Sequence, residues 1–270
     1  MTPAAVIIRS ALAPVQHEPS LRSEQLTQLV LGETGSVLET KEDWRRVRLD
    51  LDGYEGWLHR GYALETTAEA AAAWRAEAQG WSEGAEIGMD QLSLRLPLRA
   101  RVVSGTGGIR LPDGRTGVVL AGRVATAAGV ERLARGVPAV RWAAKHFSGA
   151  PYQWGGVTPW GVDCSGLVQT TFLARGIRVP RDAAVQAGVG QPVDPGGIRV
   201  GDLLFFAERE GRISHVAFAG DQDTLVHSTL ACGGFVVEPW HAGSRAAYLR
   251  AQLVAVRRLT PTGQRSPADA

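Results

Sequence analysis

Within residues 163–228 the chain places one apolar helical run ahead of three apolar β runs, and that order restricts the fold more than any other stretch. Asp163 has the chemistry of a helix N-cap, and Cys164 to Ala174 read as a helix that turns Leu167, Val168 and Phe172 inward. Gly176 stands where a helix leaves through a left-handed residue. Downstream, Gly201-Asp202-Leu203-Leu204-Phe205-Phe206 and Ser214-His215-Val216-Ala217-Phe218-Ala219-Gly220 read as two buried strands joined by a polar turn over residues 208–212. A third strand is expected at Thr224-Leu225-Val226-His227-Ser228. Helical and strand patterns kept in separate runs predict an α+β domain.

The same residues carry chemistry. Cys164 falls in the first turn of its helix, where unpaired N–H groups and the helix dipole favour a thiolate. With a histidinium nearby, such a thiol is expected to fall from about 8.5 toward roughly 3.5–7.5. A lone helical cysteine is more often inert core, and His215 on the second strand reverses that reading. An imidazole beside a helix-start thiol takes the thiol proton and returns it to the leaving amine, and a third polar group must orient the ring. His227 on the next strand is the candidate for that role. The other histidines, His17, His59, His146 and His241, show no metal-ligand spacing, so neither zinc nor any cofactor is expected. The only other cysteine, Cys232, precedes Gly233-Gly234 and reads as a bystander in a loop. Two cysteines exclude both a disulfide framework and a cysteine-based zinc cluster.

The N-terminal half has a different texture. Ser36-Val37-Leu38-Glu39, Trp44-Arg45-Arg46-Val47-Arg48-Leu49 and Gly56-Trp57-Leu58-His59 are short β runs, with a turn at Asp52-Gly53. With Gly32-Glu33, Trp44 and Tyr54-Glu55-Gly56-Trp57 they resemble bacterial SH3-like domains over residues 20–66. Trp44 and Trp57 are expected as core aromatics of that barrel, the other reading being walls of a binding surface. Residues 65–80, rich in Ala and Glu, predict a helical linker ending at Gly80. A second small β domain is expected over residues 91–127, with the glycines at 105–108 at a hairpin tip. A further helix begins near Pro138 and stops before Gly149 and Pro151.

Tyr152, Gly155-Gly156, Asp163-Cys164-Ser165-Gly166, Pro180-Arg181, Gln186, Gly201-Asp202-Leu203, Phe205-Phe206, His215-Val216 and His227 together resemble the NlpC-type family of bacterial cell-wall peptidases, over residues 136–258. The resemblance implies a papain-like domain, a Cys-bearing helix packed on an antiparallel sheet, with Cys164, His215 and His227 as its catalytic set. It also implies hydrolysis of the bond between D-γ-glutamate and a diamino acid, diaminopimelate or Lys, in murein peptides. Tyr152 is then expected to share oxyanion work with backbone N–H groups, the plain reading being a core tyrosine. Trp154 is read either in the substrate site or as a core aromatic, Ser165 either in the substrate site or as a group that satisfies the first helical turn, and Asp163 is expected to help hold a free amine as well as cap its helix. Similar proteins with an SH3-like domain contribute an acidic side chain and a tyrosine from that barrel to the N-terminal L-alanine. Glu24 and Tyr54 are the candidates here, with Glu33 as substitute. Arg181 and Asp182 carry a weaker signal. Two other readings remain at this point, a non-catalytic cell-wall-binding module and an acyl or amide transferase on the same Cys-His site.

At 270 residues the chain exceeds one ordinary core. The expected division is 1–66 for the first barrel, 67–135 for the linker and second β domain, 136–262 for the peptidase, and a disordered tail at 263–270. Hydrophobic residues at 44% and charged residues at 21% fit a folded interior. A net charge of +2 with no long run of one sign gives no nucleic-acid or membrane footprint. No apolar window is long enough for a membrane span, and the start through Arg9 lacks a secretion-signal pattern. A monomer acting on a murein peptide in the cytoplasm is expected, with the cell envelope as the alternative location.

Overall fold

Alternation of inward and outward side chains, plain in Trp44-Arg45-Arg46-Val47-Arg48-Leu49, builds the first sheet: Val47 and Leu49 are buried while Arg46 and Arg48 are exposed. The structure, a computed structural model of the chain, describes residues 4–90, 92–208 and 211–260. The tail read at 263–270 and part of the turn at 208–212 lie outside the described residues. The chain divides into two units, 1–130 with 154–160, and 131–153 with 161–270.

In the first unit, β1 (Ala5–Ile8), β2 (Leu12–Gln16), β3 (Gln25–Val30), β4 (Thr34–Lys41), β5 (Trp44–Leu49), β6 (Glu55–His59) and β7 (Ala63–Thr66) form an antiparallel sheet in the order β3-β2-β6-β5-β4-β1-β7. Its core is aliphatic: Val6, Ile8, Val15, Leu29, Val47 and Leu58 are each fully buried, contributing about 1.5–3 kcal/mol apiece. Trp44 and Trp57 correct the expectation of core aromatics. Both are partly buried and stand outside that cluster, because their strand positions point to the opposite face from Val47 and Leu58. The Trp44 and His59 rings stand edge to face with centroids 5.3 Å apart.

Helix α1 (Ala68–Glu77) forms where the Ala-rich linker predicts it, with the Thr67 hydroxyl capping Ala70 N–H at 3.2 Å. It lays Ala71 and Trp74 against Ala5 and Ile7. A second sheet follows, of β8 (Gly80–Ser82), β9 (Glu86–Met89), β10 (Leu92–Arg95), β11 (Arg101–Gly105), β12 (Gly108–Arg110), β13 (Thr116–Ala121) and β14 (Val124–Thr126), in the order β10-β9-β13-β12-β11-β8-β14. Gly105 and Gly108 pair across the hairpin tip. The two barrels meet tightly at Gly32. Its carbonyl accepts from Trp74 Nε1 at 2.8 Å, and a Cβ there would lie 2.0 Å from the Arg101 carbonyl oxygen.

Helix α2 (Ala127–Arg135) was absent from the sequence expectation, and it spans the division between the units. Only two of its residues, Val130 and Ala134, are buried, an i,i+4 pair too sparse to announce a helix. The second unit contains α3 (Ala139–Phe147), α4 (Cys164–Ala174) and the short α5 (Ala183–Gln186). Its sheet consists of β15 (Gln191–Pro192), β16 (Leu203–Ala207), β17 (Ile213–Ala219), β18 (Thr224–Thr229), β19 (Gly234–Pro239) and β20 (Leu253–Arg258), in the order β15-β20-β16-β17-β18-β19, all neighbours antiparallel. Helix α4 packs on β17 with the Phe172 and Phe218 rings 5.8 Å apart. Leu204, Phe206, Ala217, Leu225, Trp240 and Leu249 form a separate cluster. Helix and sheet thereby hold a helix start and two adjacent strands in fixed relation.

Candidate active site

Asp163 has extended backbone and its Oδ1 accepts from Gly166 N–H at 2.7 Å, so Cys164 occupies the first position of α4 as the sequence predicts. The cap is itself held. Arg181 donates to Asp163 Oδ2 at 2.5 Å and to Oδ1 at 3.1 Å, and to the Ser165 hydroxyl at 2.8 Å. Ser165 in turn donates to Asp163 Oδ1 at 3.2 Å. Gln186 donates to the Ser165 carbonyl at 3.0 Å, and Asp163, Ser165, Arg181 and Gln186 are all buried. Arg181, weakly marked in the sequence, is the counter-charge that allows a carboxylate to be buried beside the nucleophile candidate.

Cys164 is 7% exposed. Its sulfur accepts from the backbone N–H groups of Val216 and Ser165, which brings the helix start against the strand residue that follows His215. His215 lies on β17, where its ring stacks on Phe206, its direct cross-strand partner, at 5.9 Å. His215 Nε2 and His227 Nδ1 are 2.7 Å apart. On its far side His227 places Nε2 2.7 Å from Glu238 Oε1. Arg245 completes the row, its Nε donating to Glu238 Oε2 at 2.8 Å and its second nitrogen to Oε1. His227 is fully buried and Glu238 is 7% exposed.

Sequence reading identified both histidines and missed Glu238 and Arg245. The signal was register: His227 pairs with Val236, so Glu238, two residues on, shares the face of His227. A single glutamate near a strand end carries no such mark in sequence.

The electrostatics correct one expectation. Burial pushes the Cys164 thiol up to about 12, and the Asp163 charge adds to that, outweighing the N–H groups of Val216 and Ser165 and the Arg181 charge. A dry site disfavours the lone thiolate more than the helix start favours it. Burial, followed by His227 and Arg245, lowers His215 from 6.5 to about 3. His215 keeps some solvent access, and the direction, toward the neutral ring, is what bears on the chemistry. Taken singly, burial thus favours the uncharged form of each group, the thiol of Cys164 and the neutral ring of His215.

Tyr152 is partly buried, and its backbone N–H donates to the Gly233 carbonyl at 2.8 Å. Burial raises its phenol above the ordinary range, with the Asp163 carboxylate acting in the same direction, so it remains a hydroxyl donor. The other expected residues belong to the first unit. Trp154 is 58% exposed, donates from Nε1 to Glu24 Oε1 at 2.9 Å and accepts from Gln25 through its carbonyl at 2.7 Å. Tyr54 packs partly buried against the first barrel's aliphatic core. Glu33, the substitute for Glu24, is committed elsewhere: Arg99 lies 3.0 Å from its Oε1, and Val30 N–H donates to Oε2 at 2.9 Å. Cys232 is exposed in a 3-10 turn.

Comparison with known proteins gives the family. The pattern described as NlpC/P60 family matches residues 149–257, and the one described as bacterial dipeptidyl-peptidase Sh3 domain matches residues 17–61. A gamma-D-glutamyl-L-lysine dipeptidyl-peptidase of Bacillus subtilis (strain 168) is 31% identical over 228 residues, covering 75% of this chain and 71% of that protein. A Bacillus cereus (strain ATCC 10987) protein of the same name is 39% identical over 89 residues, 32% of this chain and 27% of that one. Among solved structures, an NlpC/P60 family protein from Bacillus cereus ATCC 10987 shares the fold with a TM-score of 0.74 at 21% identity, covering 94% of this chain and 99% of that one. The chain therefore belongs to the NlpC/P60 family, a cysteine peptidase of papain-like α+β fold with an SH3-like domain earlier in the sequence.

Proposed function

We propose that the chain hydrolyses the bond between D-γ-glutamate and a diamino acid, diaminopimelate or Lys, in murein peptides, and that its substrates are free peptides with N-terminal L-Ala. One observation carries the reading: the peptidase and Sh3 matches occur in one chain, in line with the Bacillus subtilis relative named for the γ-D-glutamyl-L-lysine bond.

In this reading Cys164 Sγ attacks the γ-carbonyl while His215, through the Nδ1 left open by its contact with His227, takes the thiol proton. The tetrahedral oxyanion is met by backbone N–H groups at the helix start and by the Tyr152 hydroxyl. His215 then returns its proton to the leaving amine of the diamino acid, and water cleaves the Cys164 thioester with His215 again as base. Ser165 and Asp163 shape the helix start beside the substrate. Glu24, Tyr54 and Trp154 are retained as substrate-binding residues, a free ammonium removed from water needing a carboxylate partner. The same reading takes the protein to be a cytoplasmic monomer acting on soluble wall fragments.

The test is hydrolysis of L-Ala-γ-D-Glu-diaminopimelate and its Lys analogue, each with a free and with a blocked amine. Cleavage confined to the free peptides, abolished in Cys164→Ala, is expected. An active Cys164→Ala variant removes the assignment, and equal turnover of blocked peptides removes the free-peptide preference. Glu24→Gln and Tyr54→Phe are expected to raise KM for the free peptides with kcat little changed. Cell fractionation and light scattering test location and oligomeric state.

A further inference from the structure

We infer that Glu238, clamped by Arg245, is the positioning residue that sets which nitrogen carries the proton on both histidines. Donor and acceptor roles along the row decide this. An ionised carboxylate only accepts, so at 2.7 Å from Glu238 Oε1 the Nε2 of His227 must carry a hydrogen. A neutral His227 protonated on Nε2 has a bare Nδ1. That bare nitrogen, 2.7 Å from His215 Nε2, must accept, which puts the His215 hydrogen on Nε2 and leaves Nδ1 with its lone pair for the thiol. One carboxylate thus determines the form of a ring two residues along the row. This inference rests on the proposed role of His215 as base.

Without Glu238 the row loses its direction. Two neutral imidazoles in contact satisfy each other equally well with the hydrogen donated from either side, and the reverse arrangement places it on His215 Nδ1, where it blocks proton uptake. Each supporting group has a feature suited to this task. Arg245 donates to both Glu238 oxygens, and although burial opposes the charge, its donors and His227 hold the carboxyl below the usual glutamate range. Burial keeps His227 on the neutral side of its ordinary range, so it stays in a form whose two nitrogens differ. Glu238 is 7% exposed, so water cannot readily replace its oxygen.

The test uses the full chain with 15N-labelled histidines at neutral pH, reading long-range ring correlations that distinguish the two neutral forms. In the parent, His215 and His227 are both expected as the Nε2–H form. Glu238→Ala is expected to populate Nδ1–H forms of both and to lower kcat by about tenfold to a hundredfold, a usual cost of losing such a supporting partner, with KM within about twofold. Glu238→Gln, whose amide oxygen still accepts from His227, is expected to lie between the two in both readouts. A parent His227 protonated on Nδ1 overturns the inference without any variant having to fold. Parental ring forms in a folded Glu238→Ala variant overturn it too, even with a fall in kcat. The ring-form arm needs no turnover, so it stands apart from the substrate assignment, which Cys164→Ala tests.

Discussion

Replacing Arg181 by Met should destabilise the peptidase unit by about 3–5 kcal/mol, the usual cost of removing one partner from a buried ion pair. Arg181 is 2% exposed and Asp163 6% exposed. Donor contacts at 2.5, 2.8 and 3.1 Å tie the guanidinium to Asp163 and Ser165. Burial works against the Arg181 charge, and the Asp163 carboxylate more than offsets it. Met fills similar volume but takes the guanidinium away from the buried carboxylate. Asp163→Asn keeps an oxygen for Gly166 N–H and a good N-cap residue while discharging the site. Combining Asp163→Asn with Arg181→Met leaves two neutral side chains facing each other. The double variant should therefore recover at least half of the loss caused by Arg181→Met alone.

Calorimetry on the full chain reads this directly. The transition belonging to the peptidase unit is identified by its downward shift in Leu204→Ala, a fully buried core position in that unit. Arg181→Met, at about 3–5 kcal/mol and about 2–4 °C per kcal/mol, should lower that transition by roughly 6–20 °C. A shift under about 3 °C refutes the buried-pair argument, as does a double variant no more stable than Arg181→Met.

Three other expectations follow from the same physics. In a Cys232→Ser background, which removes the exposed thiol, alkylation of Cys164 by iodoacetamide should keep accelerating through pH 9, because burial holds its thiol near 12; a plateau reached below pH 7 would favour a standing thiolate. Acid should destabilise the fold through the buried histidines: His215 titrates near 6.5 unfolded and about 3 folded, so the unfolded chain takes up the proton first and stability falls as pH drops from about 6.5 toward 3. Urea midpoints for the parent and His215→Asn should converge at low pH, and parallel curves would count against it. Gly32→Ala should cost at least about 2 kcal/mol, since φ is +81° and the added carbon meets the Arg101 carbonyl; thermal unfolding unchanged from the parent contradicts that.

The parts of the site legible in sequence were those with a local signature. Asp163 as cap, Cys164 at the helix start and Gly176 at its exit, φ +72°, follow from single-residue chemistry. His215 and His227 were found because each interrupts an apolar strand. What stayed hidden depends on which face or which partner a residue has. Trp44 and Trp57 are large and apolar, yet strand parity turned them away from the core. Glu33 was a plausible ligand until Arg99, 66 positions along the chain, took its carboxylate. The thiol titration failed as an expectation for the same reason, since helix geometry is local while desolvation is a property of everything packed around α4.

Glu238 is the instructive case, because its importance follows from an acceptor-only group at the end of a row of groups that can each donate or accept. The two histidines supply the path of hydrogen bonds but no preference between its two directions. A carboxylate fixed at one end removes that freedom, and Arg245, with a side chain 41% exposed, holds the carboxylate ionised from the solvent side. In the proposed catalytic set of Cys164, His215 and His227 the third residue is a ring that can donate or accept at either nitrogen, so it orients the base in one sense only when its own hydrogen is fixed, and Glu238 is the acceptor that would fix it.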